Sequence, residues 1–576
     1  MRDEGSLRKA GITAMAAVGA AVYLLGSSVK EAGREPAGDM GQPWGAERQS
    51  FFPRLSGSGI RQVLDARQAG GDFCQVLPAG NGTFSILVPA EFLKQQLEIS
   101  VLEYRDSRIL LQQGETVVGM RLGDRELWAV SGASLIASGP EKRDGKLYIP
   151  LEAVCRGFGY QAQGAPDSQI IHLKDAWTGK KRGLPSSYDY RDVGRNTKVR
   201  NQGIYGTCWS FASLTALETA MDPVERKEFS ADHMSLRNSF SLNQKDGGMY
   251  TMSMAYLLGW QGPVLEEEDP YGDDVSPEGL TPSVHVQEIQ ILPSGDFEAI
   301  KRAVFLYGGV QSSLHTSITG YQSRSVYYNA EESAYCYGGD GEPNHDVVIV
   351  GWDDGYPRQN FPREPPGDGA FLCVSSWGEE FGDGGYFYVS YYDSNIGKNG
   401  LAYTGIESVD RYDRIYQSDL CGWVGQVGYG APAAYGANVY EARGTETLEA
   451  AGFYAMRENT SYRIFLARHV ESGEDLQDRE LVAEGSVEYR GFYTIPLKKP
   501  TALEAGERFA IILEIDSPSA VHPLAVEYKV DDATAGADIG DGEGYISFDG
   551  ETWDSLEEKY QCNLCLKGYT TVGGIQ

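Results

Sequence analysis

The stretch Asn201–Met221 reads NQGIYGTCWSFASLTALETAM. Cys208 stands directly ahead of a helical pattern, with Phe211, Leu214 or Thr215, and Leu217 or Glu218 at helical spacing and Ala220 and Met221 closing the face. A cysteine at a helix N-terminus feels the positive end of the macrodipole, which favours its thiolate. Gly203 and Gly206 leave room for a substrate backbone beside the sulfur. Gln202 is placed to aim a side-chain amide at a developing oxyanion, with the Cys208 backbone N–H as second donor. By itself, a cysteine before a helix is most often structural, so the nucleophile reading needs a base.

The chain has 7 histidines. His345 differs from the others because it immediately precedes DVVIVGW, a continuous apolar run expected to form a buried strand. A third element, FLCVSSWGEEFGDGGYFYVSYYD (371–393), reads as a strand, a Trp-Gly turn, a glycine-rich loop and another strand. Ser375 or Ser376 is positioned there to orient an imidazole, and Trp377 to shield that hydrogen bond from water.

These blocks, in order, resemble the papain-like cysteine peptidases: QGIYGTCWSF, PNHDVVIVGW and SSWGEEFGDGGY. LPSSYDYRD resembles the usual mature start, and FSADHMS and KDGGMYTMSMAYLLGWQG resemble two further landmarks of that family. The resemblance implies a two-lobe peptidase with a helical lobe and a β-barrel-like lobe. It implies Cys208 as nucleophile, His345 as base and Gln202 at the oxyanion. Gly247, Gly248 and Trp377 would line the substrate cleft, with Met249 and Tyr250 near the side-chain pockets. It implies a peptide or protein substrate and neither metal nor organic cofactor.

Two positions depart from the family pattern. Tyr205 stands where a disulfide cysteine is usual, and Lys245 and Asp246 precede Gly247 where its partner would be, so that disulfide is absent. Ser375 occupies the orienting place usually held by Asn. A hydroxyl can accept the imidazole N–H but is shorter, so weaker activity is expected rather than none.

Outward from the site, 576 residues predict several domains. The charge balance, 81 acidic against 50 basic residues, speaks against nucleic acid or anionic lipid as a partner of the whole surface. Arg2, Arg8 and Lys9 precede the uncharged run AGITAMAAVGAAVYLLG (10–26), so 1–30 reads as a cleaved export signal or an uncleaved anchor. That segment is the only expected membrane contact, and the rest should be secreted or held at the cell surface. A linker over 31–69 leads to a small α+β module over 70–175, with a helix Leu151–Phe158 and a strand from Tyr160. Through KLYIPLEAVCRGFGYQA followed by QIIHL, that module resembles the stalk that bacterial surface proteins share with the N-terminal domain of copper amine oxidases.

A second linker, 176–183, precedes the peptidase-like segment 184–405. From 406 to 576, short strands such as YRIFLARHV and RFAIILEI predict a separate antiparallel β-sandwich. Through RIYQSDLCGWVG, GANVYEA and LEAAGFYAMRENTSYRIFLA it resembles the lectin-like domain of some bacterial surface peptidases, which makes cell-surface glycans a candidate partner. Cys562 and Cys565 form a lone CxxC, expected to be inert thiols or to include a disulfide to Cys421. The expected fold is thus multidomain α+β and the expected function an exported cysteine peptidase. A catalytically weak or inactive surface-binding protein and a cell-wall peptide amidase or transpeptidase are the alternatives.

Overall fold

The computed structural model describes residues 11–14, 61–65 and most of 75–573, with short gaps that include 164–169, 176–183 and 222–225. The expected export segment lies outside the described residues except for Gly11–Ala14, a short strand antiparallel to Gly425–Gly428. The described chain divides into two compact units, one covering 23–184 and the other 185–576 with the first 22 residues.

The N-terminal unit carries antiparallel sheets of five, four and three strands and two helices, Ala90–Leu97 and Leu151–Phe158. Val88, Leu93, Ile109, Val118, Ile149, Val154 and Phe158 form its core. The second helix and the strand Tyr160–Gln163 fall where the sequence pattern puts them. One expectation is corrected. The linker does not run unbroken to 69, because Arg61–Asp65 pairs with Ile170–Lys174 as an outer strand of the three-stranded sheet. Five residues are too few to display strand alternation, and the pairing is supplied by a strand more than a hundred residues away.

In the larger unit the helix Cys208–Met221 is buried around its whole circumference from Trp209 on, not along one face as the spacing suggested. It is packed on every side: by the helices Ala231–Leu236 and Tyr250–Leu258 and by the strands Val310–Leu314 and His345–Asp353. The His345–Asp353 strand pairs with Val310–Leu314 on one side and Ala370–Val374 on the other. This brings the His345 end of one strand beside the Ser375 end of the next.

The C-terminal segment is a β-sandwich, but its sheet is not separate. A single 13-stranded sheet runs from the peptidase-like segment into the C-terminal one. The junction is His285–Leu292, which pairs with Gly400–Glu407 and, over Glu288–Ile291, with Arg490–Tyr493. Without that partner, His285–Leu292 would present bare backbone N–H and C=O groups along its edge. A six-stranded sheet packs across a core containing Val427, Phe453, Ile464, Phe509, Ile511 and Leu566.

Candidate active site

Three chain segments meet at Cys208. The loop Gln202–Thr207 is stitched to the Trp377 turn by Gln202 N–H to Ser376 O (2.9 Å), by Gly378 N–H to Arg200 O (3.1 Å) and by a bridge between Asn201 and Trp377. The carbonyl of Thr207 accepts the Phe211 N–H at 3.1 Å and so starts the helix, which leaves the Cys208 N–H outside the helical ladder.

His345 is buried. Its Nε2 lies 2.9 Å from Ser375 Oγ, and its ring stacks on the Trp377 indole at 4.2 Å and 12°. Of the two candidate serines, Ser375 therefore engages the imidazole. Ser376 faces the other way and donates its hydroxyl to Gln202 Oε1 at 2.6 Å. Gln202 Nε2 donates one hydrogen to Tyr205 O at 2.8 Å. A side-chain amide has two N–H donors, and only one of them is used in this bond. His345, Ser375, Trp377, Ser376 and Gln202 are thus assembled in one place, and the N–H of Asp346, the residue after His345, reaches the Cys208 sulfur. The role of Ser376 as the anchor of Gln202 was not read from the sequence, although its pairing of adjacent serines held the signal.

Gly247 and Gly248 lie against the same loop. A Cβ on Gly248 would come within 2.4 Å of Trp209 Nε1, and Gly247 has φ +80°. The space at Gly206 is used by the protein itself, since a Cβ there would stand 2.9 Å from Gly247 Cα. The expectation that Gly206 makes room for substrate is therefore corrected. At the place of the absent disulfide, Gly206 N–H bonds Gln244 O at 2.9 Å, and Tyr205 packs edge-on to Tyr271 at 6.4 Å.

Loss of hydration dominates the electrostatics of both groups, although Cys208 itself is only partly buried. Burial pushes the Cys208 thiol up to about 12, and the nearby Asp346 carboxyl adds to the rise. Backbone N–H groups of Asp346, Trp209 and Cys208 itself pull the other way. Burial brings His345 down to about 3. The pull of the helix N-terminus toward thiolate is thus outweighed for Cys208 charging alone. Moving one proton from Cys208 to His345 is different: it creates two opposite charges side by side and changes no net charge.

Asp346 is a second residue the sequence reading passed over. Its carboxyl accepts from Gln311 Nε2 (2.9 Å) and Ser313 Oγ (2.7 Å), and Gln311 Oε1 accepts from Ser213 of the Cys208 helix at 2.9 Å. The strand bearing the histidine is thereby tied to the helix bearing the cysteine. Away from this site, Cys421, Cys562 and Cys565 are buried free thiols. Cys421 donates to Ser239 O and Cys565 to Gly422 O, so the disulfide alternative does not occur.

A buried imidazole engaged by a hydroxyl, on the strand whose Asp346 N–H reaches a cysteine at a helix start, is the set of groups that thiol hydrolases use. Residues 184–406 match the papain family cysteine protease and 415–570 the lectin-like domain. The chain accordingly carries a papain-family cysteine protease domain followed by a lectin-like domain. Cathepsin K of Mus musculus is 30% identical over 212 residues, 36% of this chain and 58% of that protein. Cathepsin K of Gallus gallus is 32% identical over 206 residues, 34% of this chain and 56% of that protein. The chain thus spans less than two thirds of these relatives' length.

Two solved structures are similar to the chain over more than the peptidase-like segment. One is the clostridial cysteine protease Cwp84 after propeptide cleavage, 26% identical, with TM-score 0.59 over 68% of this chain and all of that one. The other comprises the protease and lectin-like domains of Cwp84, a surface layer associated protein of Clostridium difficile. It is 26% identical, with TM-score 0.60 over 68% of this chain and 89% of that one.

Proposed function

We propose that the protein is an exported cysteine peptidase that hydrolyses peptide bonds of a peptide or protein substrate through a covalent acyl-enzyme. The observation that carries this reading is the engagement of His345 Nε2 by Ser375, which leaves Nδ1 as the nitrogen to exchange a proton with Cys208. The Cys208 proton passes to Nδ1 as the sulfur attacks the substrate carbonyl carbon. Negative charge moves to the carbonyl oxygen, where the free Gln202 N–H and the Cys208 backbone N–H stabilise it. Collapse of this intermediate breaks the C–N bond, and His345 gives its proton to the leaving amine. His345 then takes a proton from water, whose oxygen attacks the thioester, and the released thiolate is reprotonated.

Gly247, Gly248 and Trp377 are assigned to the substrate cleft in the same reading. Location outside the cytoplasm, at the cell surface or secreted, belongs to the proposal and is supported by the likeness to Cwp84. So does capture of surface glycans by the lectin-like domain, with the N-terminal module as spacer. A second reading, a binding protein with little or no activity, is favoured by one observation: Ser375 in place of an amide orienter.

The deciding experiment follows turnover of a quenched fluorescent peptide library under reducing conditions, with titration of the thiol by an epoxide inhibitor, for the protein and its Cys208→Ala variant. Cleavage and stoichiometric labelling that both vanish in the variant are expected. Folded protein that neither cleaves nor labels would transfer the assignment to the binding reading.

A further inference from the structure

The acidic segment 266–279 contributes something that its charge does not explain. Most of its carboxylates face solvent, yet Tyr271 at its centre reaches the nucleophile loop. Its hydroxyl donates to the Gln202 carbonyl at 2.9 Å and shares a 2.7 Å hydrogen bond with Thr207 Oγ1. A phenol has one proton, so Thr207 donates in the second bond. The Tyr271 ring packs edge-on against Phe211, in the first turn of the Cys208 helix, at 4.7 Å.

The segment itself is anchored from behind. Gly272 N–H bonds Asp232 Oδ2 at 2.9 Å, Ser230 Oγ bonds Asp269 O at 2.6 Å, and Ser276 Oγ bonds the buried Asp269 at 2.6 Å. The segment that carries the hydroxyl is therefore held by contacts of its own besides those to the loop. Gln202 bears the side-chain oxyanion donor, and Thr207 directly precedes the backbone donor of Cys208. One O–H group thus spans both ends of the loop that sets the spacing between the two donors.

We propose that Tyr271 is a positioning residue of the oxyanion site, clasping Gln202 to Thr207 so that the two donors converge on one point. The inference rests on the peptidase reading above. Tyr271 touches neither sulfur nor imidazole, so its contribution acts only when charge develops on the substrate oxygen.

The test is Tyr271→Phe in the full chain, which keeps the ring on Phe211 and removes only the hydroxyl. Peptide turnover, alkylation of Cys208 by iodoacetamide and thermal melting are measured together. The expected result is a fall of about tenfold in kcat with KM within about twofold, the size of one lost positioning hydrogen bond. Alkylation, which forms no oxyanion, and the melting temperature should stay near wild type. Thr207→Val, which removes the other half of the clasp, should give the same split.

Wild-type kcat in Tyr271→Phe overturns the inference. So does a fall in which alkylation and melting drop in parallel, because that marks general loosening. Absence of turnover in the wild type would overturn the peptidase reading and this inference with it, whereas an active wild type with an unaffected Phe variant overturns this inference alone.

Discussion

Ser375 and Ser376 are neighbours in the chain with different partners. Successive side chains at a strand end point to opposite sides, which sends Ser375 to His345 and Ser376 to Gln202. Replacing Ser375 by Asn offers the imidazole a longer, planar acceptor. Ser375→Asn is expected to raise kcat about fivefold, the worth of a hydrogen bond improved by ~1 kcal/mol. Unchanged turnover would remove the support for Ser375 as the weak point of the site. Asp346 acts on the cysteine, and its sign is definite: a negative charge beside the sulfur disfavours thiolate and raises the thiol pKa. Asp346→Asn removes that charge, so the pH profile of Cys208 alkylation is expected to move to lower pH. An unmoved profile would mean that the Asp346 carboxyl is already neutral in its buried setting.

Among the elements, the strand His285–Leu292 carries the most consequence. It closes the sheet of the peptidase-like segment and at the same time opens the sheet of the C-terminal one. Packing reinforces the seam: Trp260 stacks on His285 at 3.6 Å and contacts Tyr569 of the C-terminal segment at 5.6 Å. Polar links add to it, with Gln417 Nε2 to Gly259 O at 2.9 Å and Ser241 N–H to Ala533 O at 2.8 Å. A chain ending at Glu407 would expose that edge and strip the Trp260 contact. It is expected to associate in light scattering and to melt below the full chain in calorimetry. A monomeric truncated form with the same melting temperature would show that the shared sheet contributes little to stability.

At the scale of the whole molecule, local pattern was enough for much of the design. Cys208 before a helix, His345 before a Val-rich strand and the Ser-Ser-Trp-Gly turn are short-range signals, because each depends on a few residues adjacent in the chain. The same holds for the order of peptidase and β-rich segments, and for the helix Leu151–Phe158 with its following strand. Other features depend on residues far apart in the chain. The choice between Ser375 and Ser376, the filling of the Gly206 space by Gly247, and the clasp of Tyr271 on Gln202 and Thr207 are of this kind. So are the union of two domains through one sheet and the strand Arg61–Asp65 inside an expected linker. Sequence by itself determined which groups are available for chemistry, since side-chain type and local periodicity are properties of short stretches. Only the tertiary structure decided which of them meet, because hydrogen bonds and burial between distant segments leave no mark on the composition of either one.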